Sequence, residues 1–198
     1  MNQLQPVVYL ARHSETAWTV AGQHTGLTDI PLTERGEQNA RRLGGRLKGL
    51  LFARVFTSPL QRVRRTCELA GYGRLADVDP DLTEWHYGDY EGLTTAEIRT
   101  TRTDWELFRD GCPAGERPAD VAARADRVIA RARAVKCAVL LFSSGHFLRV
   151  LAARWIGLEA AAGRLIFLDT ASVSALGYEH GPDTPVIRLW NDVGHVTY

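Results

Sequence analysis

Two short, unbroken apolar runs, PVVYLA (6–11) and CAVLLF (137–142), constrain this chain more than any other feature. A strand with one face in water alternates apolar and polar residues. A run that is apolar throughout belongs to a strand buried on both faces, as in a parallel sheet covered by helices. Residues 54–58 (RVFTS) predict a third short strand. Between these runs the apolar period lengthens to that of a helix. Ala40, Leu43, Leu47 and Leu50 recur behind Thr33, a natural N-cap, and Leu60, Val63, Cys67 and Ala70 follow Pro59, placed in the first turn of the next helix. Val121, Ala125, Val128, Ala132 and Val135 mark a third helix, and Phe147, Leu148, Leu151, Ala152 and Trp155 a fourth. Strands alternating with amphipathic helices predict an α/β fold, a three-layer α/β/α sandwich with a mostly parallel central sheet. Segments 172–178 and 185–190 add a late, antiparallel pair of strands. The stretch 12–31, rich in Gly, Thr and His without sustained periodicity, reads as a long ordered loop, and such loops commonly carry function.

Composition narrows the function classes. The chain has 198 residues, of which 45% are hydrophobic and 24% charged, suiting one globular domain over 1–198 with no linker or repeat. A chain of this size buries roughly 70% of its unfolded surface, so its core needs no disulfide or structural metal. The formal net charge of +1 supplies no overall field for nucleic acid or an anionic membrane, and Lys48 and Lys136 are the only lysines, with the arginines interleaved among acids. No apolar run reaches the ~20 residues of a membrane span. Cys67, Cys112 and Cys137 are odd in number and lack metal-ligand spacing. These features predict a cytoplasmic protein, read as full length, with no nucleic acid, membrane, cofactor or metal. The oligomeric state stays open, a homodimer included.

The chemistry should lie where polar clusters follow the strands. Arg12-His13 follows the first run, Ser58-Pro59-Leu60-Gln61-Arg62 the second, and Ser144-Gly145-His146 the third. In open α/β sheets ligands bind beyond the carboxyl ends of the strands, so clusters far apart in sequence can converge there. Two of the clusters also open helices, whose first-turn N–H groups favour an anion. Arginines offer planar forks to phosphoryl oxygens, and a histidine kept neutral by nearby guanidinium charge offers a nucleophilic nitrogen. A phosphoryl group is the guest that this combination suits.

Arg12-His13-Ser14-Glu15-Thr16-Ala17-Trp18, then Thr25-Gly26, Asp29, Pro31-Leu32-Thr33 and Gly36, resembles the signature of the histidine phosphatase (phosphoglycerate mutase-like) superfamily. The resemblance continues through Ser58 to Arg62, Glu84 with Tyr87-Gly88-Asp89-Tyr90-Glu91-Gly92, and Gly115-Glu116, in the family's order over most of the chain. It implies a metal-independent, two-step hydrolysis of small phosphorylated metabolites, sugar phosphates among them. His13 becomes a phosphohistidine, Arg12 and Arg62 hold the phosphoryl oxygens, and Glu84 protonates the leaving oxygen and then activates water. Ser14, Thr25, Gly26 and Ser144 are candidate substrate contacts.

Two positions depart from the family pattern. Ser14 stands where the family usually has glycine, which narrows backbone freedom if that position needs unusual dihedrals. Ser144 stands where the family usually has its second histidine, and losing one transition-state donor commonly costs ~10²–10³ in rate. His146 either compensates through a shifted turn or serves the start of its helix. The alternatives are therefore a mutase-type phosphotransferase and a catalytically impaired phospho-ligand binding domain. Arg99, Arg102 and Arg109 are weighed as contacts for a second acidic group against a solvated helix face, and Glu116 and Arg124 read as structural.

Overall fold

The computed structural model describes residues 7–197. Six strands form one sheet in the order β3-β2-β4-β1-β5-β6. They are β1 (Val8–Arg12), β2 (Arg54–Thr57), β3 (Ala76–Val78), β4 (Val139–Ser143), β5 (Val173–Tyr178) and β6 (Pro185–Asp192). The four strands from β3 to β1 are parallel, and β5 and β6 extend the sheet antiparallel, as the late pair of apolar segments predicted.

The two-residue alternation of a strand sorts the core into two layers. Val8, Leu10, Val139 and Leu141 face one way and pack with Val121, Val128, Phe147, Leu151 and Trp155 of helices α6 (Pro118–Ala134) and α7 (Gly145–Trp155). Ala11, Val55, Leu140 and Phe142 face the other way and meet Leu43, Leu47, Val63 and Cys67 of helices α2 (Glu34–Leu47) and α3 (Gln61–Leu69). Both faces of β1 and β4 are thus dry, which is why their sequences carry no polar alternation. Thr33 caps α2, its hydroxyl accepting from Gly36 N–H at 2.9 Å.

Local details differ from the sequence reading. The loop 12–31 contains a short helix, α1 (Ala17–Ala21), closed by a reciprocal Thr16–Thr19 cap and by left-handed Gly22. Five residues are too few for a helical period to show. Pro59 precedes rather than enters its helix, since Leu60 is the N-cap of α3. The edge strand β3 is short, and two short helices, α4 (Thr95–Thr101) and α5 (Leu107–Asp110), lie between it and α6. Pro6 of the first run lies outside the described residues.

Candidate active site

The carboxyl ends of β1, β4 and β2 are neighbours, and the three polar clusters emerge there side by side. His13 N–H donates to Ser143 O at 2.9 Å, Ala171 N–H donates to His13 O at 3.1 Å, and Ser58 N–H donates to Phe142 O at 3.1 Å. The backbone on either side of the imidazole is therefore fixed by sheet neighbours. The ring is 3% exposed, and its Nδ1–H donates to Ser14 O at 2.7 Å. A carbonyl can only accept, so this bond sets the tautomer and leaves the lone pair on Nε2. Burial first, then the charges of Arg62 and Arg12, hold the His13 pKa well below the ordinary histidine value. The ring is neutral and nucleophilic at neutral pH.

Arg62 is fully buried on the first turn of α3. Its Nη1 donates to Thr28 O at 3.0 Å, and its Nη2 donates to Thr25 O and Gly26 O, each at 2.8 Å. Glu91 completes this corner by accepting from Gly26 N–H at 2.8 Å and Thr28 N–H at 3.1 Å. Thr25 and Gly26 thus act on Arg62 through their carbonyls, and a side chain on Gly26 would put Cβ 2.5 Å from the Glu91 carboxylate. Arg12 donates through Nη1 to Leu168 O. Neither arginine has a carboxylate in ion-pair distance among the described residues, whereas Arg127 and Arg131 on the outer side of α6 pair with Asp81 and Asp79.

Five polar atoms in this corner, Arg12 Nε, Arg62 Nε, Ser14 Oγ, Ser144 Oγ and Glu91 Oε2, are buried with no hydrogen-bond partner. Such groups are rare in folded proteins because each costs roughly 1–3 kcal/mol when it stays unpaired. Arg12 among them shares a cavity with the imidazole, where a guanidinium suits a tetrahedral anion.

Glu84 explains why Ser144 is free. Ser144 is the N-cap of α7, a position where a serine normally accepts from the second or third helical N–H, yet its side chain makes no cap bond. Those N–H groups go to Glu84 instead: His146 N–H donates to Oε2 at 3.0 Å and Phe147 N–H to Oε1 at 2.8 Å, with Trp85 N–H also on Oε1 at 2.9 Å. The carboxylate caps the helix and faces the same cavity as His13.

That cavity holds about 270 Å³, and Arg12, His13, Thr25, Glu84 and His146 line it together with Arg149. Ser14, Gly26, Arg62 and Ser144 are not on its wall. Ser14 has an ordinary backbone, since it is absent from the residues with positive φ, so its side chain causes no strain. His146 is held by its Nδ1, which shares a 2.5 Å hydrogen bond with the Tyr87 hydroxyl, and burial and the charge of Arg149 keep it neutral. The turn from Ser144 into α7 is regular, and His146 stands one residue inside the helix, so no shift of the turn brings it into the place of Ser144.

A family model for the histidine phosphatase superfamily, branch 1, matches residues 8–193. The chain belongs to this superfamily. Within it, the chain is 44% identical over 177 residues to an acid phosphatase of Mycobacterium tuberculosis, covering 87% of this chain and 86% of that one. It is 37% identical over 191 residues to the sedoheptulose 1,7-bisphosphatase of Saccharomyces cerevisiae, covering 80% and 70%. A solved structure of an open-reading-frame product from Mycobacterium tuberculosis superposes with a TM-score of 0.91 at 40% identity, covering 96% of this chain and 98% of that chain. The chain is a phosphatase of this superfamily, with the α/β sandwich that its solved neighbours share.

Several residues of this histidine phosphatase site are not evident from local sequence. Tyr87 reaches His146 across 59 positions, and Glu91 reaches Gly26 across 65. Arg99, Arg102 and Arg109 face away from any such duty: Arg99 donates to Trp105 O, and Arg102 and Arg109 pair with Asp110. Arg149 joins Arg12 as a cation on the cavity wall, braced by Gly163 O at 2.9 Å and lying 4.6 Å from the Phe108 ring centroid. Among the described residues no cluster of three or more His, Cys, Asp or Glu could hold a metal ion, and no helix is long and apolar enough to cross a membrane.

Proposed function

We propose that the enzyme hydrolyses small phosphomonoesters through a phosphohistidine on His13. The observation that carries this reading is a neutral imidazole, its Nε2 free, in a cavity shared with Arg12 and Glu84, with neither Arg12 nor Arg62 paired to a carboxylate among the described residues. In the first step the Nε2 lone pair attacks phosphorus, the bond to the leaving oxygen breaks, and a proton on Glu84 passes to that oxygen. In the second step Glu84 takes a proton from water, the water oxygen bonds to phosphorus, and the N–P electron pair returns to Nε2. Arg12 and Arg62 meet the charge on the phosphoryl oxygens throughout, and positioning and electrostatics supply most of the rate.

Ser144 contributes a hydroxyl, a neutral donor in place of a cationic one. The free Oγ supports a working but slower site over a purely binding one, because a domain retained only for binding has no need of a carboxylate capping α7 at the cavity. The yeast relative's name and the cavity's small volume support sugar phosphates as the substrate class. Cys67, Cys112 and Cys137 are all unpaired, which supports a reducing compartment and hence the cytoplasm.

The test is hydrolysis of 4-nitrophenyl phosphate and a panel of sugar phosphates in EDTA, with wild type and H13A. Turnover by wild type and its loss in H13A support the reading. Full activity in H13A overturns it. Primed transfer to 3-phosphoglycerate faster than hydrolysis would instead assign the chain to the mutase chemistry.

A further inference from the structure

Arg124 interrupts the apolar face of α6 between Val121 and Ala125, and its side chain is only 13% exposed. A buried guanidinium is costly unless its donors are matched, and here they are. Nε and Nη2 donate to the two carboxylate oxygens of Glu116 at 2.7 and 2.8 Å. Nη1 donates to Asp81 O and Thr83 O, each at 2.8 Å, and Nη2 approaches Glu84 O at 3.4 Å. The guanidinium carbon also lies 4.9 Å from the centroid of the Phe147 ring.

Every one of these contacts leads, directly or through one partner, to the chain within three residues of Glu84. The carbonyls of 81, 83 and 84 are the chain that delivers it. Glu116 holds the chain just beyond it: its Oε2 accepts from His86 N–H at 2.9 Å, its carbonyl accepts from Trp85 Nε1–H at 2.9 Å, and its N–H donates to His86 O at 2.8 Å. Phe147, under the guanidinium, is the residue whose N–H binds Glu84 Oε1. Arg124 therefore ties together the backbone before Glu84, the backbone after it, and the helix turn that receives its carboxylate. Only a planar fork reaches all of these at once, since a lysine ammonium is a single point charge.

We infer that Arg124, working with Glu116, is a positioning residue for proton transfer to the leaving group. It touches no substrate and acts by fixing Glu84. This rests on the reading of Glu84 as the acid. An acid displaced by about 1 Å loses efficiency steeply, of order 10²-fold, and in the first step the loss matters only where the leaving oxygen needs a proton; the later attack by water is common to all substrates. A staple that merely stabilised the fold would affect all substrates alike.

The experiment compares a sugar phosphate, whose alkoxide leaves poorly, with 2,4-dinitrophenyl phosphate, which leaves unaided. Values of kcat/KM, which report the first step because the leaving group departs before water attacks, are measured for wild type, E84Q, R124M, R124K and E116Q. E84Q should lose at least about 10²-fold more on the sugar phosphate than on the dinitrophenyl ester. R124M and E116Q should show the same selective loss at about 10-fold in kcat/KM, with R124K between them and wild type. If R124M is too unstable to assay, E116Q and R124K report the same ratio. An equal loss on both substrates, or no loss on either, overturns the positioning role while leaving a selective E84Q intact. An E84Q with no selectivity overturns the acid assignment itself, and the role of Arg124 with it.

Discussion

On the nucleophile side of the cavity, Arg12, Arg62, Ser14 and Ser144 each keep a buried polar atom without a partner. On the Glu84 side the opposite holds: both oxygens of Glu84 and both of Glu116 are engaged, and Arg124 has matched donors. The contrast separates two tasks. Groups meant to bind an incoming anion must be left unpaired by the protein, at a cost in stability, and a group that must hand over a proton at a fixed place must be gripped by everything around it. The unpaired corner sits at the ends of buried parallel strands, whose core offsets that cost. The gripped corner sits on a loop with little regular structure, where side-chain bonds have to do what a sheet does elsewhere.

The two corners should respond differently to substitution. The largest effect belongs to His13: H13A should lower kcat by at least about 10⁴-fold, as loss of a nucleophile does in other covalent enzymes, measured by initial rates with EDTA present. Next, R62M should cost about 10²–10³-fold in kcat/KM. Inorganic phosphate should raise the melting temperature of wild type, because ligand binding stabilises the native state, and raise that of R62M less. A gain in phosphate affinity in R62M would show that the unpaired corner is not an anion site.

Ser144 sharpens the comparison, since it is a short neutral donor where the superfamily usually has an imidazole. S144A should lower turnover about 10-fold and S144H raise it about 10-fold or more. If S144A matches wild type, the free hydroxyl contributes nothing and the corner works with guanidinium groups alone.

On activity the comparison ends with Ser144; on stability it is read through pH. Burial lowers the pKa of His13 and His146 well below the ordinary value and brings His24 to about 4. As pH falls below about 6.5, the unfolded chain takes up protons that the native state refuses, so stability present at neutral pH is lost progressively on acidification. Each such histidine contributes about 1.4 kcal/mol per pH unit while its folded form stays neutral. Urea midpoints at pH 7.5, 6 and 5 check this, and a midpoint that rises on acidification would contradict it. The same neutrality of His13 should carry the acid limb of kcat/KM below the ordinary histidine range.

Much of this was legible in the sequence for a physical reason. Strands buried on both faces and helices with one apolar stripe leave periodic marks, so β1, β4, α2, α6 and α7 could be read directly. The polar residues just past the strands followed from the topology. The tautomer of His13 could not be read, because it depends on where the Ser14 carbonyl turns. The capping of α7 by Glu84 was equally hidden, being a contact across 62 residues between a loop and a helix start. Glu116 and Arg124, read from sequence as structural, gain their importance only from which carbonyls and amides they meet.

The most direct test is to mix the enzyme with a phosphate ester for milliseconds, denature it at alkaline pH and map any phosphoryl group by mass spectrometry. The mechanism predicts a base-stable, acid-labile phosphoryl group on the peptide carrying His13, formed at least as fast as product is released. Steady turnover with that peptide unmodified at every time point would contradict it.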